Sequence, residues 1–559
     1  MSDFKLGPRR AIYIDIEEEL ENGGTGSPLS EEEVGTLENF DRIYRSLCAI
    51  LYNYVPTSGH PGGSISSGRI VASLLFGSMD YDLGDPQRDD ADLISYAAGH
   101  KALGLYAMWA LRDEIARAAA PDLLPTNISD RLRLEDLLGF RRNPSSATPL
   151  VTRLEAKALD GHPTPATPFV RLATGASGVG LASSVGLAFG AKDWFGDGAP
   201  SVHIIEGEGG LTPGRASESL AAAATASLGN AILHVDWNQS SIDSDRVCRD
   251  EDKPGDYVQW TPAELAYVND WNVIYVPQGH DFRQIVAAQR RAASIDNGQP
   301  TAIVYRTVKG WQYGIEGKAS HGAGHHLCST GFFASLLPLT DLVEVALPIC
   351  ETKEKRCDFG ADAEVLESCL WEALTVVRRA VSESKDIADK LAEKLRQARE
   401  RLEEKGRKPR PDAPCLDAIY EIAKGTPAAP QELALRAGTR ATLRGELGRA
   451  LDFLNRRSSG AILGGAADLL GSTSAATLNA GFDPGFFNAK SNAGARLLSV
   501  GGICEDALSG VISGLSTFGR HLGVGSSYAA FIAPLGHIAA RLHAIGNQAA
   551  QAAHGEPFR

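Results

Sequence analysis

The sequence predicts an α/β chain built on a doubly wound parallel sheet, followed by a second αβ unit. Three observations predict it. From about residue 41 to 335, short β-rich runs alternate with Ala- and Leu-rich helical stretches. A densely charged segment of helical period occupies about 340–430, and a second αβ pattern opens near 431. Parallel neighbours need a crossover, and a helix between strands supplies it. A chain of 559 residues is also too long for a single core; at roughly 100–200 residues per domain it holds about three or four units.

Residues 1–40 are acidic and polar, with Glu17-Glu18-Glu19, Gly23-Gly24-Thr25-Gly26 and Glu31-Glu32-Glu33. They read as a loosely held N-terminal arm. Within 41–335, Val202–Glu206, Ala231–Val235, Asn272–Val276 and Thr301–Tyr305 are short β-rich runs of strand length, mostly apolar. Such runs suit strands covered on both faces. Ala216 to Ala226 reads as one of the intervening helices. Over 336–430, Val377, Ile387, Leu391, Leu395, Ala398 and Leu402 recur at helical spacing among charges, until Lys408-Pro-Arg-Pro-Asp-Ala-Pro414 stops the helix. This predicts a solvated helical connector. In 431–559, Ala461–Gly465 reads as a strand entering a Gly turn, and Val511–Phe518 as a helix.

Composition narrows the function classes. Apolar residues are 43% and charged residues 22%, which excludes a disordered chain. With 55 Lys+Arg against 69 Asp+Glu the net charge is −14, which argues against a broad nucleic-acid surface. No apolar stretch approaches the roughly 20 residues that span a bilayer, and the start, Met1-Ser-Asp-Phe-Lys5, lacks a signal-like apolar run. The eight cysteines form no CxxC pair. They read as reduced thiols of a cytoplasmic protein.

The most informative segment is Ile204-Ile-Glu-Gly-Glu-Gly-Gly-Leu211, followed by Val235-Asp-Trp-Asn-Gln-Ser240. One strand ends in a Gly-flanked carboxylate, Glu208, and another, 30 residues on, ends in Asn238. At the C-terminal edge of a parallel sheet both would enter one crevice. A carboxylate, an amide oxygen and a backbone carbonyl suit a hard cation such as Mg²⁺ or Ca²⁺, and Mg²⁺ also takes phosphate oxygens. The glycines let the backbone approach such phosphates closely.

This pair resembles the thiamine-diphosphate-binding motif, and its surroundings resemble the transketolase family. The resemblance runs through Thr57-Ser-Gly-His-Pro-Gly-Gly63, Asp80-Tyr-Asp-Leu-Gly-Asp-Pro86, Ala98-Gly-His-Lys-Ala102, Asp160-Gly-His-Pro163 and Thr174-Gly-Ala-Ser-Gly-Val-Gly180. It continues through Ser320-His-Gly322, Gly464-Gly-Ala-Ala-Asp468 and Gly502-Ile-Cys-Glu-Asp506, in family order. It implies a thiamine-diphosphate-binding fold: a diphosphate-binding domain over 41–335 and an incomplete pyrimidine-binding domain over 431–559.

The resemblance also implies roles. Glu208, Asn238 and the Ser240 carbonyl match the metal ligands; His100, Gly175 and Gly209 match diphosphate contacts. His60 and His162 match histidines facing substrate hydroxyls, and His321 one near diphosphate and substrate. Glu505 matches the glutamate that shares a proton with the aminopyrimidine ring, while Tyr528 and Phe531 match the aromatic pocket around that ring. Asp468 matches a carboxylate of the network joining two active sites. Arg440 and Ser472 match groups that hold the substrate's terminal phosphate. The implied activity is transfer of a two-carbon ketol unit from a ketose phosphate to an aldehyde.

Several positions depart from the family pattern. Glu208 stands where the family has Asp, Gly210 and Pro213 where it has acidic or polar groups, and Cys504 and Asp506 where it has Arg and His. These changes leave two alternatives open: a thiamine-diphosphate enzyme with a different donor or acceptor, and an inactive transketolase-like scaffold. The family's pyrimidine-binding domain also continues beyond the segment matched here. The expectation is therefore the larger subunit of a split enzyme, completed by a second polypeptide and dimerising into a heterotetramer.

Overall fold

The computed structural model describes residues 7–24, 29–55, 59–141, 148–240, 260–317, 325, 329–343, 347–348, 363–425, 430–538, 541 and 545–555. A six-stranded, wholly parallel sheet forms the centre of the first unit. Its strands are β1 (Tyr13–Asp15), β2 (Leu93–Tyr96), β3 (Val202–Gly207), β4 (Ala231–Trp237), β5 (Asn272–Val276) and β6 (Thr301–Arg306), in the spatial order β1-β5-β6-β4-β3-β2. The four strands expected from their apolar runs are present, each within two residues of its predicted end.

Alternate residues of these strands bury against opposite layers. Leu233, Ala302 and Val304 share a core with the helices Val179–Phe195 and Gly214–Thr225. Ile232, Ile274 and Ile303 pack with Ile285 and Ala288 of the helix Phe282–Ser294. Both faces are therefore covered, and that is why apolar residues predominate on both faces of these strands. The pairing of β3 with β4 runs from Val202↔Ala231 to Gly207↔Asp236. This register brings the residues just past both strands, Glu208 and Asn238, to the same C-terminal edge.

Two expectations are corrected. The N-terminal arm is not loosely held where it is described. Tyr13–Asp15 pairs with β5, Ile16 is fully buried, and the helix Glu31–Tyr54 begins inside the predicted arm. Its start carries a full capping box, Ser30 with Glu33, which satisfies two otherwise orphaned backbone N–H groups. The connector is not simply solvated either. In its helices Ala363–Glu383 and Lys385–Lys405, Leu370, Leu374, Val377, Leu391, Leu395 and Leu402 are buried in a core shared with the helices Glu31–Tyr54 and Ala102–Ala119. The charges that suggested solvation lie on the other face or pair with the first unit, as Arg407 does with Asp92 at 2.9 Å.

The second unit holds a parallel pair, β7 (Ile462–Ala466) and β8 (Leu522–Ser526), and the helix Glu505–Thr517. That helix crosses Val179–Phe195 at very close range. A Cβ on Gly514 would come within 1.8 Å of the Ser183 carbonyl oxygen, and one on Gly186 within 2.1 Å of the Val511 oxygen. Beside the crossing, buried Asp193 accepts from both Arg496 (2.9 Å) and His521 (2.8 Å).

Candidate functional site

Beyond the ends of β3 and β4 lies a cavity of about 410 Å³, lined by His60, His100, His162, Gly175, Glu208, Gly209, Asn238, Ser240 and Lys309, among others. Eight of the sequence-predicted site residues therefore meet in one place, drawn from separate segments of the chain. Each segment has a local reason for its path. His60 occupies the left-handed region (φ 60°) directly before Pro61, which starts the helix Pro61–Ser66. A non-glycine residue held there is uncommon and marks a position fixed by its surroundings. His100 sits in the turn Gly99–Lys101 after β2, and its ring lies edge-on to His60 with centroids 5.1 Å apart.

Gly175 needs to be glycine on two counts. Its φ is +147°, and a Cβ there would lie 3.0 Å from the His162 ring. Its neighbour across the cavity is equally restricted, because a Cβ on Gly99 would come within 2.6 Å of the Gly175 backbone. Bare backbone thus forms one wall, the form of cradle a phosphate needs.

Glu208 is buried and reaches the β4 end. Its carboxylate accepts from the backbone N–H groups of Asn238 (3.4 Å) and Ser240 (3.3 Å), and the Ser240 N–H also donates to Asn238 Oδ1 at 3.1 Å. The longer Glu side chain, in place of Asp, therefore still spans the gap between the strand ends. Burial, with the nearby charge of Asp236, pushes its carboxyl up to about 7. A cation here would restore the ionised form. Among the described residues no cluster of three or more His, Cys, Asp or Glu could hold a metal. A site at this edge would use one carboxylate, one amide oxygen and backbone oxygen, the hard donor set of Mg²⁺. Bare-backbone wall and donor set together fit a diphosphate with its cation.

Two of the cavity histidines, His100 and His162, are held neutral. Burial, reinforced by Lys101 and His60, lowers His100 to about 3, and burial with Arg541 and Arg141 lowers His162. Neutral imidazoles can both donate and accept a hydrogen bond.

The remaining predicted residues lie elsewhere. Glu505 is the first residue of its helix and accepts from Ser527 Oγ at 2.8 Å. It lines a different, small crevice with Leu508, Ile512, Ser526 and Ile532. Tyr528 and Phe531 stand on the surface beside it, 46% and 59% exposed, with Tyr528 capping the short 3₁₀ turn Ala529–Ile532 that carries Phe531. Asp468 is exposed just past β7, with φ 56°. Of the two residues expected to hold a phosphate, Arg440 is exposed, and the Ser472 carbonyl accepts from Arg444 at 2.5 Å. His321 lies outside the described residues.

Residues 134–327 match the family model "Transketolase, thiamine diphosphate binding domain". The matched region is of the transketolase family. Among curated proteins, the chain is 30% identical over 254 residues to "Transketolase-like protein 2" of Mus musculus, covering 45% of this chain and 34% of that protein. It is 30% identical to "Transketolase" of Homo sapiens over 267 residues, 47% and 36% of the two chains. The chain thus spans about a third of the length of these relatives. A different coverage appears with an apulose-4-phosphate transketolase subunit of Actinobacillus succinogenes: 27% identity over 315 residues, 56% of this chain and 94% of that protein. In fold, the chain resembles the transketolase of Leishmania mexicana (TM-score 0.60, 21% identity, 93% of this chain and 67% of that one). The transketolase of Campylobacter jejuni gives a TM-score of 0.58 at 20% identity, over 90% and 67%. No helix among the described residues is long and apolar enough to cross a membrane.

Sequence reasoning missed several residues at the cavity. Lys101 and Lys309 are buried beside it, as are Glu206 and Asp236. The only signal in the sequence was adjacency: Lys101 follows His100, and Asp236 precedes Asn238 by two positions.

Proposed function

We propose that the chain is the thiamine-diphosphate-binding subunit of a transketolase-like transferase, which moves a two-carbon ketol unit from a ketose phosphate to an aldehyde. The observation that carries this reading is the convergence of Glu208, Asn238 and Ser240 with His60, His100, His162 and Gly175 in one cavity. Bound thiamine diphosphate supplies the carbanion chemistry that breaks and forms a C–C bond beside a carbonyl. The protein binds, orients and handles protons. Glu208, Asn238 and Ser240 would hold the cation, and the Gly99–Gly175 wall with His100 the diphosphate. His60 and His162, both at the cavity, would exchange protons with sugar hydroxyls. Glu505 would share a proton with the pyrimidine ring.

The partner reading rests on two supports. One is the near-complete coverage of a relative whose name makes it one subunit of its enzyme. The other is the separation of Glu505, Tyr528 and Phe531 from the Glu208 cavity, with both aromatics exposed. A second copy of this chain would bring one copy's Glu505 face to the other's cavity, and a second polypeptide would complete the β7–β8 unit, giving a cytoplasmic heterotetramer. The alternative, an unphosphorylated or otherwise altered donor, turns on whether Arg440, which is exposed, and Ser472, whose carbonyl accepts from Arg444, hold a substrate phosphate.

Calorimetric titration of thiamine diphosphate with Mg²⁺ into the chain tests the cofactor assignment. Saturable, Mg²⁺-dependent binding is expected, and none at millimolar cofactor would overturn it. A donor panel of ketose phosphates against unphosphorylated ketoses, run with the second polypeptide present, separates the two donor readings. For Glu505→Gln, a loss of roughly 10²-fold or more in turnover is expected, with cofactor binding retained. Unchanged turnover removes Glu505 from the mechanism.

A further inference from the structure

Beside the cavity, which Lys101 helps to line, lies a fully buried ion pair, Lys101 Nζ to Asp236 Oδ2 at 2.6 Å, with both side chains 1% exposed. Asp236 gathers three further donors. Ser66 Oγ reaches Oδ2 at 2.6 Å, Asn238 Nδ2 reaches Oδ2 at 3.3 Å, and Thr307 Oγ1 hydrogen-bonds Oδ1. These donors come from four segments, each carrying a cavity-lining residue. Lys101 adjoins His100, Ser66 ends the short helix that His60 begins, Asn238 lines the cavity itself, and Thr307 stands two residues before Lys309.

We propose that Asp236, neutralised by Lys101, is the positioning hub of the cation and diphosphate site; this rests on the function proposed above. Its effect on Asn238 is specific. An amide can face a neighbour with either its nitrogen or its oxygen, and a carboxylate accepts only from the nitrogen. Asp236 therefore holds Nδ2 inward and turns Oδ1 towards Ser240 and the cation edge, where a ligand oxygen is needed. Lys101 has a second task. Glu208 already places one carboxylate in this buried region, and an uncompensated Asp236 would add another charge in low dielectric. Partners behind the ligands of a metal typically control its affinity by about 10–100-fold.

The test uses the full-length chain and two isosteric variants, Asp236→Asn and the charge-free pair Lys101→Met with Asp236→Asn. Mg²⁺ is titrated calorimetrically at saturating thiamine diphosphate, and melting temperature is measured without either. The expected result is a roughly 10–100-fold weaker Mg²⁺ dependence in at least one variant whose ligand-free melting temperature stays near the unaltered chain's, with binding restored at raised Mg²⁺. The restoration distinguishes positioning from a merely loosened fold, which excess Mg²⁺ leaves unrepaired. Unchanged Mg²⁺ dependence in both variants overturns the assignment while leaving the cofactor reading intact. So does weakened binding that excess Mg²⁺ fails to restore. If the unaltered chain itself binds no thiamine diphosphate with Mg²⁺, the functional reading falls, and this inference with it.

Discussion

The two αβ units of this chain present their chemistry in opposite ways. In the first, a six-stranded sheet with both faces covered presents Glu208 and Asn238 at adjacent strand ends, inside a cavity whose wall and floor are already built. In the second, a two-stranded pair supports Glu505 at a helix start, and the aromatic residues beside it face outward. A two-stranded parallel pair has little independent stability, so the second unit depends on what it packs against. The comparison teaches where cooperativity must lie. The Glu208 cavity stands at the edge of the larger sheet, while the Glu505 face belongs to a unit that shares its core with the first and leaves aromatic side chains exposed.

What fastens the second unit can be broken most severely at Asp193. This carboxylate lies on the helix Val179–Phe195 and bonds Arg496 and His521, all three nearly or fully buried. Burial alone would raise its pKa, but the Arg496 guanidinium and the hydrogen bonds from His521 and Arg496 outweigh that and hold the carboxyl well below its usual range. Asp193→Ala leaves a buried guanidinium unpaired and should cost about 3–5 kcal/mol, read by chemical denaturation. The pH dependence follows in sign. With its folded pKa below the unfolded value of about 3.9, Asp193 contributes its stability fully above that pH and loses it as pH falls further. Limited proteolysis below about pH 4 should therefore cut the second unit while the six-stranded unit stays resistant. Simultaneous loss of both would show that the units are not distinct in stability.

The next largest effect concerns the other unit. Glu208→Ala removes the carboxylate that ties the β3 end to the Asn238–Ser240 turn. Thiamine diphosphate binding with Mg²⁺ should weaken by about 100-fold or more, since a carboxylate is the principal charge such a site offers the cation. The fold should survive, because burial in the absence of a cation disfavours the charged group now removed. Calorimetry and melting temperature on the same sample check both halves of the statement. Retained affinity would transfer the cation site away from the end of β3.

Gly514→Ala probes the contact between the units more gently. Its Cβ would come within 1.8 Å of the Ser183 backbone, so the helices must separate by about an ångström or more. Overpacking of this kind costs about 1–3 kcal/mol. The destabilisation should appear in denaturation curves, with cofactor affinity at the Glu208 cavity little changed. If affinity falls in step with stability, the two units are more tightly coupled than their architecture suggests.

The same contrast governs what could be read from sequence. The strands β3 to β6 were legible because burial on both faces makes them β-rich and mostly apolar, and the Glu208–Asn238 spacing was legible because the two strands are neighbours. β8, Leu522-Gly-Val-Gly-Ser526, was not, since its glycines imitate a turn. β1 is three residues long and owes its conformation to pairing with β5, a contact that joins Tyr13 to Val273. The connector's apolar stripe was visible, but periodicity gives the stripe and not its partner. Lys101 and Asp236 stayed hidden for a related reason. A lysine beside a histidine and an aspartate in a strand look unremarkable until the fold places them 2.6 Å apart.

The smallest effect on stability should come from the exposed face, and it is also the one that best sharpens the comparison. Phe531 is 59% exposed and Tyr528 46%, beside Ile532 at 45%. Large apolar side chains grouped on a surface mark contact sites more often than they stabilise the chain that bears them. Phe531→Ser should therefore change unfolding free energy by no more than about 0.5 kcal/mol, as surface substitutions usually do. Its effect should instead appear in association. In sedimentation or light scattering over a concentration series, alone and with the second polypeptide, the variant should shift towards smaller species. Cofactor affinity measured on the dissociated chain should match that of the unaltered chain under the same conditions. A variant that associates normally but melts several degrees lower would mean that Phe531 serves this chain's own packing. The second unit would then be closed on itself, and the proposal that its open face meets another chain would have to be abandoned.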